Sequence, residues 1–223
     1  MQKFETTGPV AVVLDVAAGR VQLIAADRAD VVVEVRPVDA SRGRDVKAAE
    51  QTVVEFAGGV LRIATAVAKH QVLGASGSVE VTVRVPAGSR VEGRTAAVEF
   101  RGVGRLGEVV FEGAQGMVRL DETASARLAV QAGDIWVGRL GGDAEIGTLK
   151  GDLRIDEAVG GSVVLRTESG DISVGAARGV SASLDAGTSY GRIANSLHNS
   201  DVSAAVLNIR ATTAHGDITA RSL

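Results

Sequence analysis

A glycine returns every nine residues through the second half of this chain, usually with an aspartate directly behind it. Gly133-Asp134, Gly142-Asp143, Gly151-Asp152, Gly160-Gly161, Gly170-Asp171 and Gly179 keep the period almost without a slip. Gly107 and Gly116 extend it backwards, and Gly216-Asp217 returns to it. The apolar residues follow the same period. Two and four places after the glycines stand Ile135 and Val137, Ala144 and Ile146, Leu153 and Ile155, then Ile172 and Val174. Seven places after them stand Leu140, Leu149, Ala158 and Ala177. A short fixed period of this kind is the mark of a stacked repeat.

Within one period the apolar residues alternate with polar ones, as in Asp134-Ile135-Trp136-Val137 and Asp152-Leu153-Arg154-Ile155. Alternation with period two belongs to a half-buried strand. A helix would need apolar residues three and four apart, and a glycine in every nine would weaken it. A strand of about five residues and a turn of about four fill the period. One such unit cannot bury its apolar face, but units stacked in coils bury a continuous core. The chain therefore reads as all-β: a β-solenoid, or β-helix, of nine-residue half-repeats with two strands per coil, preceded by a β-rich N-terminal region. The glycines fall at corners, where positive φ is needed. Each following aspartate can bond a nearby backbone N–H, and crossovers between parallel strands favour a right-handed coil.

The division falls near Pro86-Ala87-Gly88, giving a β-rich region over 1–90 that caps the solenoid and solenoid repeats over 91–223. In the first region strands are expected over 10–16, 21–25, 31–36, 53–56, 60–64 and 79–85. Gly19 and Gly58-Gly59 mark hairpin turns, Asp45 caps a short helix over 46–51, and residues 69–78 form an exposed loop. In the second region the period drifts. Gly116 to Gly133 spans seventeen residues rather than eighteen, and residues 195–200 bulge out before a strand resumes over 202–209.

A net charge of −3, with basic and acidic residues interspersed, argues against a nucleic-acid partner. The absence of cysteine excludes disulfides, thiolate chemistry and cysteine-based zinc sites. The chain opens on Met1-Gln2-Lys3-Phe4-Glu5 without a charged-then-apolar leader, and no apolar run is long enough to span a bilayer. The expectation is a cytoplasmic protein without membrane insertion, or a cell-surface one if a leader has been trimmed away.

Several segments together carry a family resemblance. They are Phe56-Ala57-Gly58-Gly59-Val60-Leu61-Arg62-Ile63, the strand 79–85 running into Pro86, Glu168-Ser169-Gly170-Asp171-Ile172-Ser173-Val174, and Ala214-His215-Gly216-Asp217-Ile218. The chain resembles the bacterial DUF4097 family of β-strand-repeat, adhesin-like proteins over nearly its whole length. The resemblance implies the architecture and carries no catalytic signature. A weaker similarity, of short-repeat architecture only, is to the polymer-forming bactofilins.

Four motifs invite chemistry. Gly102-Val103-Gly104-Arg105-Leu106-Gly107 matches the dinucleotide pattern G-x-G-x-x-G, but strand-like sequence follows it where the motif needs a helix. A solenoid corner is expected instead. The Gly-Asp period lacks the second glycine of calcium-binding nonapeptides, so Asp134, Asp152 and Asp171 read as a column of turn-forming carboxylates. His70, His198 and His215 are scattered without metal-ligand spacing. Ser196, His198, Ser200 and Asp201 are close in sequence, but nothing orients them as a triad. No catalytic residue, cofactor or metal is therefore expected.

The candidate contact residues are Trp136, the only tryptophan, and Arg154, its outward neighbour in the same column. An exposed tryptophan suits a partner or a sugar; alternatively, it lies across neighbouring side chains. The function expected is a non-enzymatic scaffold or adhesin-like interaction protein, the alternatives being a bactofilin-like polymer or a carbohydrate-binding or -processing β-helix. Against the last, only six aromatic residues are present. The expected partner is a protein or a second copy. A homodimer through the C-terminal end would cover the apolar end of the last repeat at Ile218.

Overall fold

The computed structural model describes residues 1–65, 77–198 and 206–223. The chain is all-β, with one eight-residue helix among these residues. It forms two compact units, Met1–Gly116 and Met117–Leu223. The Pro86-Ala87-Gly88 turn lies inside the first.

The first unit contains β1 (Gln2–Glu5), β2 (Ala11–Ala26), β3 (Asp30–Pro37), α1 (Gly43–Glu50), β4 (Val53–Ala57), β5 (Val60–Ala64), β6 (Val79–Pro86) and β7 (Arg90–Gln115). The sixteen-residue β2 is its centre. Its first half pairs in parallel with β5, Leu14 against Ile63, and its second half pairs with β6, Leu23 against Val83. On its other side β7 follows β2 in parallel from Arg90 to Val103. Gly19 is therefore a bend inside one strand, not the hairpin expected from sequence. Its φ is 130°, and a Cβ there would lie 1.9 Å from the Val79 carbonyl oxygen, so only glycine fits. Gly58-Gly59 is a true hairpin, joining the antiparallel β4 and β5. β3 runs antiparallel to β6, and β1 antiparallel to β3. Helix α1 begins at Gly43, earlier than expected, and Arg42 at its N-cap makes no side-chain cap. Asp45 does not cap it; the buried carboxylate accepts the Ser78 N–H at 3.0 Å. Of the expected loop over 69–78, only Gly77 and Ser78 are among the described residues.

The second unit contains β8 (Val118–Ala132), β9 (Ile135–Leu140), β10 (Ala144–Lys150), β11 (Leu153–Ala158), β12 (Gly161–Ser169), β13 (Ile172–Ala176), β14 (Ala182–Tyr190), β15 (Ile193–Ser196), β16 (Leu207–His215) and β17 (Ile218–Ser222). All pairings between them are parallel, in two series. One runs β8, β10, β12, β16, β14, and the other β8, β9, β11, β13, β17, β15. Apolar residues align into columns across each series. Leu128, Ile146, Leu165, Ala211 and Ala186 form one; Val118, Ile135, Leu153, Ile172, Ile218 and Ile193 form another. Alternate residues of β8 to β13, β16 and β17 thus share one apolar interior, and Ile135, Ile146, Leu165 and Ile155 are at most 2% exposed. A register shift where β11 pairs with β13, between Ile155 and Ala158, takes up the longer step from Gly151 to Gly170.

The order of the last strands departs from the sequence. β16 lies between β12 and β14, and β17 between β13 and β15. Residues 207–222 are therefore interior to the stack, and Ile218, expected at a bare end, is 1% exposed. Asn195 and Ser196, expected in a bulge, belong to β15, while residues 199–205, with the start of the expected strand over 202–209, lie outside the described residues.

Candidate functional site

The corners of the second unit account for the aspartates. Asp134 Oδ1 accepts the Asp152 N–H at 2.9 Å, Asp152 Oδ1 accepts the Asp171 N–H at 2.8 Å, and Asp171 Oδ1 accepts the Asp217 N–H at 2.8 Å. Asp217 Oδ1 ends the run on the Arg192 N–H, and Asp143 does the same for Ser162. Each carboxylate ties its own coil to the next one in space. Beside them runs a threonine column. The hydroxyls of Thr148, Thr167, Thr213 and Thr188 donate to the carbonyls of Gly133, Gly151, Gly170 and Gly216. Lys150-Gly151-Asp152 is one of these corners. Among the described residues no three His, Cys, Asp or Glu side chains gather as a metal site.

Gly102 to Gly107 lie within β7, with strand on both sides. Gly104 turns the corner at φ 79°, and a Cβ there would lie 2.2 Å from the Ala25 carbonyl oxygen. The helix N-terminus that dinucleotide binding requires does not follow. His215 stacks on Tyr190, with ring centroids 5.0 Å apart and planes 10° apart. The His198 N–H donates to Ser222 Oγ. His70, Ser200 and Asp201 lie outside the described residues.

Trp136 and Arg154 are direct neighbours across β9 and β11, in a column that reads Arg119, Trp136, Arg154, Ser173 and Thr219. The Arg119 guanidinium carbon lies 4.2 Å from the centre of the indole, a cation–π contact. Trp136 Nε1 donates to Asp156 Oδ2 at 3.0 Å, and Arg154 Nε donates to Asp156 Oδ1 at 2.6 Å. One carboxylate thereby holds both residues. The indole leans over Gly138, where an added Cβ would come within 3.2 Å of the ring. Trp136 is consequently half-buried while Arg154 stays exposed. Beside them Arg139 pairs with Glu157. The hydrogen bond to that carboxylate, and then its charge, raise the Arg139 pKa above the ordinary guanidinium value.

The result is a polar surface with three guanidinium groups, an indole edge and paired carboxylates. Asp156 accepts two donors at once, one on each oxygen. Arg119 and Asp156 are members of this cluster that the sequence reading omits. Arg119 stands seventeen residues before Trp136, the shortened step already visible at Gly116 to Gly133. Asp156 stands one column over, so a search along the Trp136 column alone passes it by.

Residues 66–221 match the sequence pattern of the family described as Toastrack DUF4097. No curated protein matches the chain. Among solved structures, a candidate lipid-binding protein from Parabacteroides distasonis is 13% identical, with 98% of this chain and 95% of that one covered and a TM-score of 0.49. A candidate adhesin from Bacteroides fragilis is 10% identical, with 100% and 95% covered and a TM-score of 0.47. A candidate adhesin from Parabacteroides distasonis is 17% identical over the same shares, with a TM-score of 0.43. No helix among the described residues is long and apolar enough to cross a membrane.

Proposed function

The chain belongs to the DUF4097 (Toastrack) family, and from that membership we propose that it is a non-enzymatic, adhesin-like scaffold whose second unit is a β-solenoid with two strands per coil. Its work is to hold a flat outer surface in a fixed geometry for a protein partner. The parallel registers and unbroken apolar columns support the solenoid. The observation that carries the binding role is the cluster of Arg119, Trp136, Asp156 and Arg154. Arginine and tryptophan are the residue types that most often dominate interface energies. Here they are braced before any partner arrives, which reduces the ordering cost of binding.

A photo-reactive residue in place of Arg154 tests this in the producing cell, with the same probe in place of the exposed Glu145 on β10, in the other strand series, as comparison. Capture from position 154, not from 145, and its loss with Trp136→Ala, is the expected outcome. Equal capture from both positions, or from neither, would remove this surface as the contact. Because Trp136 is the sole tryptophan, its emission then reports occupancy by the purified partner.

A further inference from the structure

We propose that the indole face of Trp136 takes an arginine side chain from a basic segment of the protein partner, and that Arg119 of this chain holds the place until the partner arrives. The proposal rests on the reading of this cluster as the contact surface, and it gives that partner its chemistry. The residues of the cluster are not held alike. Asp156 fixes Trp136 through the indole Nε1 and Arg154 through its Nε. Arg119 is exposed, and among the described residues its guanidinium makes no ion pair; its contact is the indole, 4.2 Å away. The ring thus has room for one guanidinium, and the group now in that room is the least restrained of the cluster. An exposed cation–π contact is weak, so the arginine stem can swing aside.

The charge around the ring selects a cation. Asp134 and Asp152, both exposed, stand two residues before Trp136 and Arg154. Each accepts a backbone N–H, which leaves its negative charge in place. Asp156 adds a third carboxylate, 3.0 Å from the indole nitrogen. Beside them Arg139 stands between two more, Glu122 and Glu157. Carboxylates therefore outnumber guanidinium groups in the cluster, and by more once Arg119 swings away. An incoming anion would meet that excess, whereas an incoming arginine restores the lost charge and keeps the indole covered. Arginine suits the place better than lysine. Its planar group stacks on an aromatic face while its N–H groups still reach carboxylates.

An acetylated tetra-arginine amide is the probe, titrated into the full chain with the emission of Trp136, the sole tryptophan, as the readout. The emission should change saturably, less with tetra-lysine and not with tetra-glutamate. The binding should weaken several-fold as salt rises from about 0.05 to 0.5 M. Arg119→Ala bares the ring and should tighten tetra-arginine binding about twofold to fivefold. Asp134→Asn keeps an oxygen for the Asp152 N–H but removes a charge, and should weaken it. Unchanged melting temperatures show that both variants fold. No response to tetra-arginine, an equal response to tetra-lysine or tetra-glutamate, or an Arg119→Ala variant that binds no tighter overturns the proposal. Capture from position 154 reads contact whatever the charge of the partner. Its presence beside any of those results keeps the surface as the contact and removes the basic occupant.

Discussion

At the scale of single residues, each corner of the second unit divides its work among three side chains. Glycine takes the backbone conformation, threonine satisfies a glycine carbonyl, and aspartate reaches the N–H of the neighbouring coil. Like charges stacked about 4.8 Å apart would repel by about 1 kcal/mol per pair in water. The N–H donors bound to Asp134, Asp152 and Asp171 offset this. Asp152→Ala leaves the Asp171 N–H without its acceptor and is expected to cost about 0.5–2 kcal/mol. Asp152→Asn keeps an oxygen in place and costs less, and chemical denaturation ranks the two. One position further along, the two faces of β11 separate. Ile155 is 1% exposed, packed between Val137 and Val174, and Ile155→Ala should cost about 2–5 kcal/mol through lost burial and a residual cavity. Arg154→Ala, on the exposed face, should cost under about 0.5 kcal/mol because only a surface ion pair is lost. Equal costs in urea unfolding would mean the faces are reversed.

At the scale of elements, the nine-residue period made the strands legible because burial repeats with it: the same offsets that mark Ile135 and Leu153 in sequence become one column in space. The corners of the second unit were legible for the same reason. Three things were not. Gly19 suggests a hairpin to any local reading, since only the distant partners β5, β6 and β7 reveal that it bends one parallel strand. The contact of Trp136 with Asp156 crosses columns, which a period cannot express. The place of β16 and β17 is invisible because parallel coils with similar apolar columns can exchange positions without altering alternation. Tyr190 and His215, twenty-five residues apart, meet only through that exchange. Removing residues 207–223 is expected to strip hydrogen-exchange protection from β14 and β15, which lose their paired strands, while β9 and β11 keep theirs. Retained protection in β14 would mean it can pair directly with β12.

At the scale of the whole molecule, apolar columns and hydrogen-bonded corners run through the second unit. EDTA should leave the melting temperature unchanged; a fall of more than about 10 °C, the size that strong ligand linkage produces, would place an ion among the carboxylates. The exchanged final coils also bear on how the molecule is made. A chain is synthesised in the order of its sequence, and its parts begin to fold as they emerge. β14 and β15 leave the ribosome before the strands on which they rest exist. They must wait unpaired, or occupy the edge of β12 and β13 and later give it up. Completion is thus an insertion between finished pieces rather than a growth at the tip, and the residues translated later act as the keystone for those translated before them.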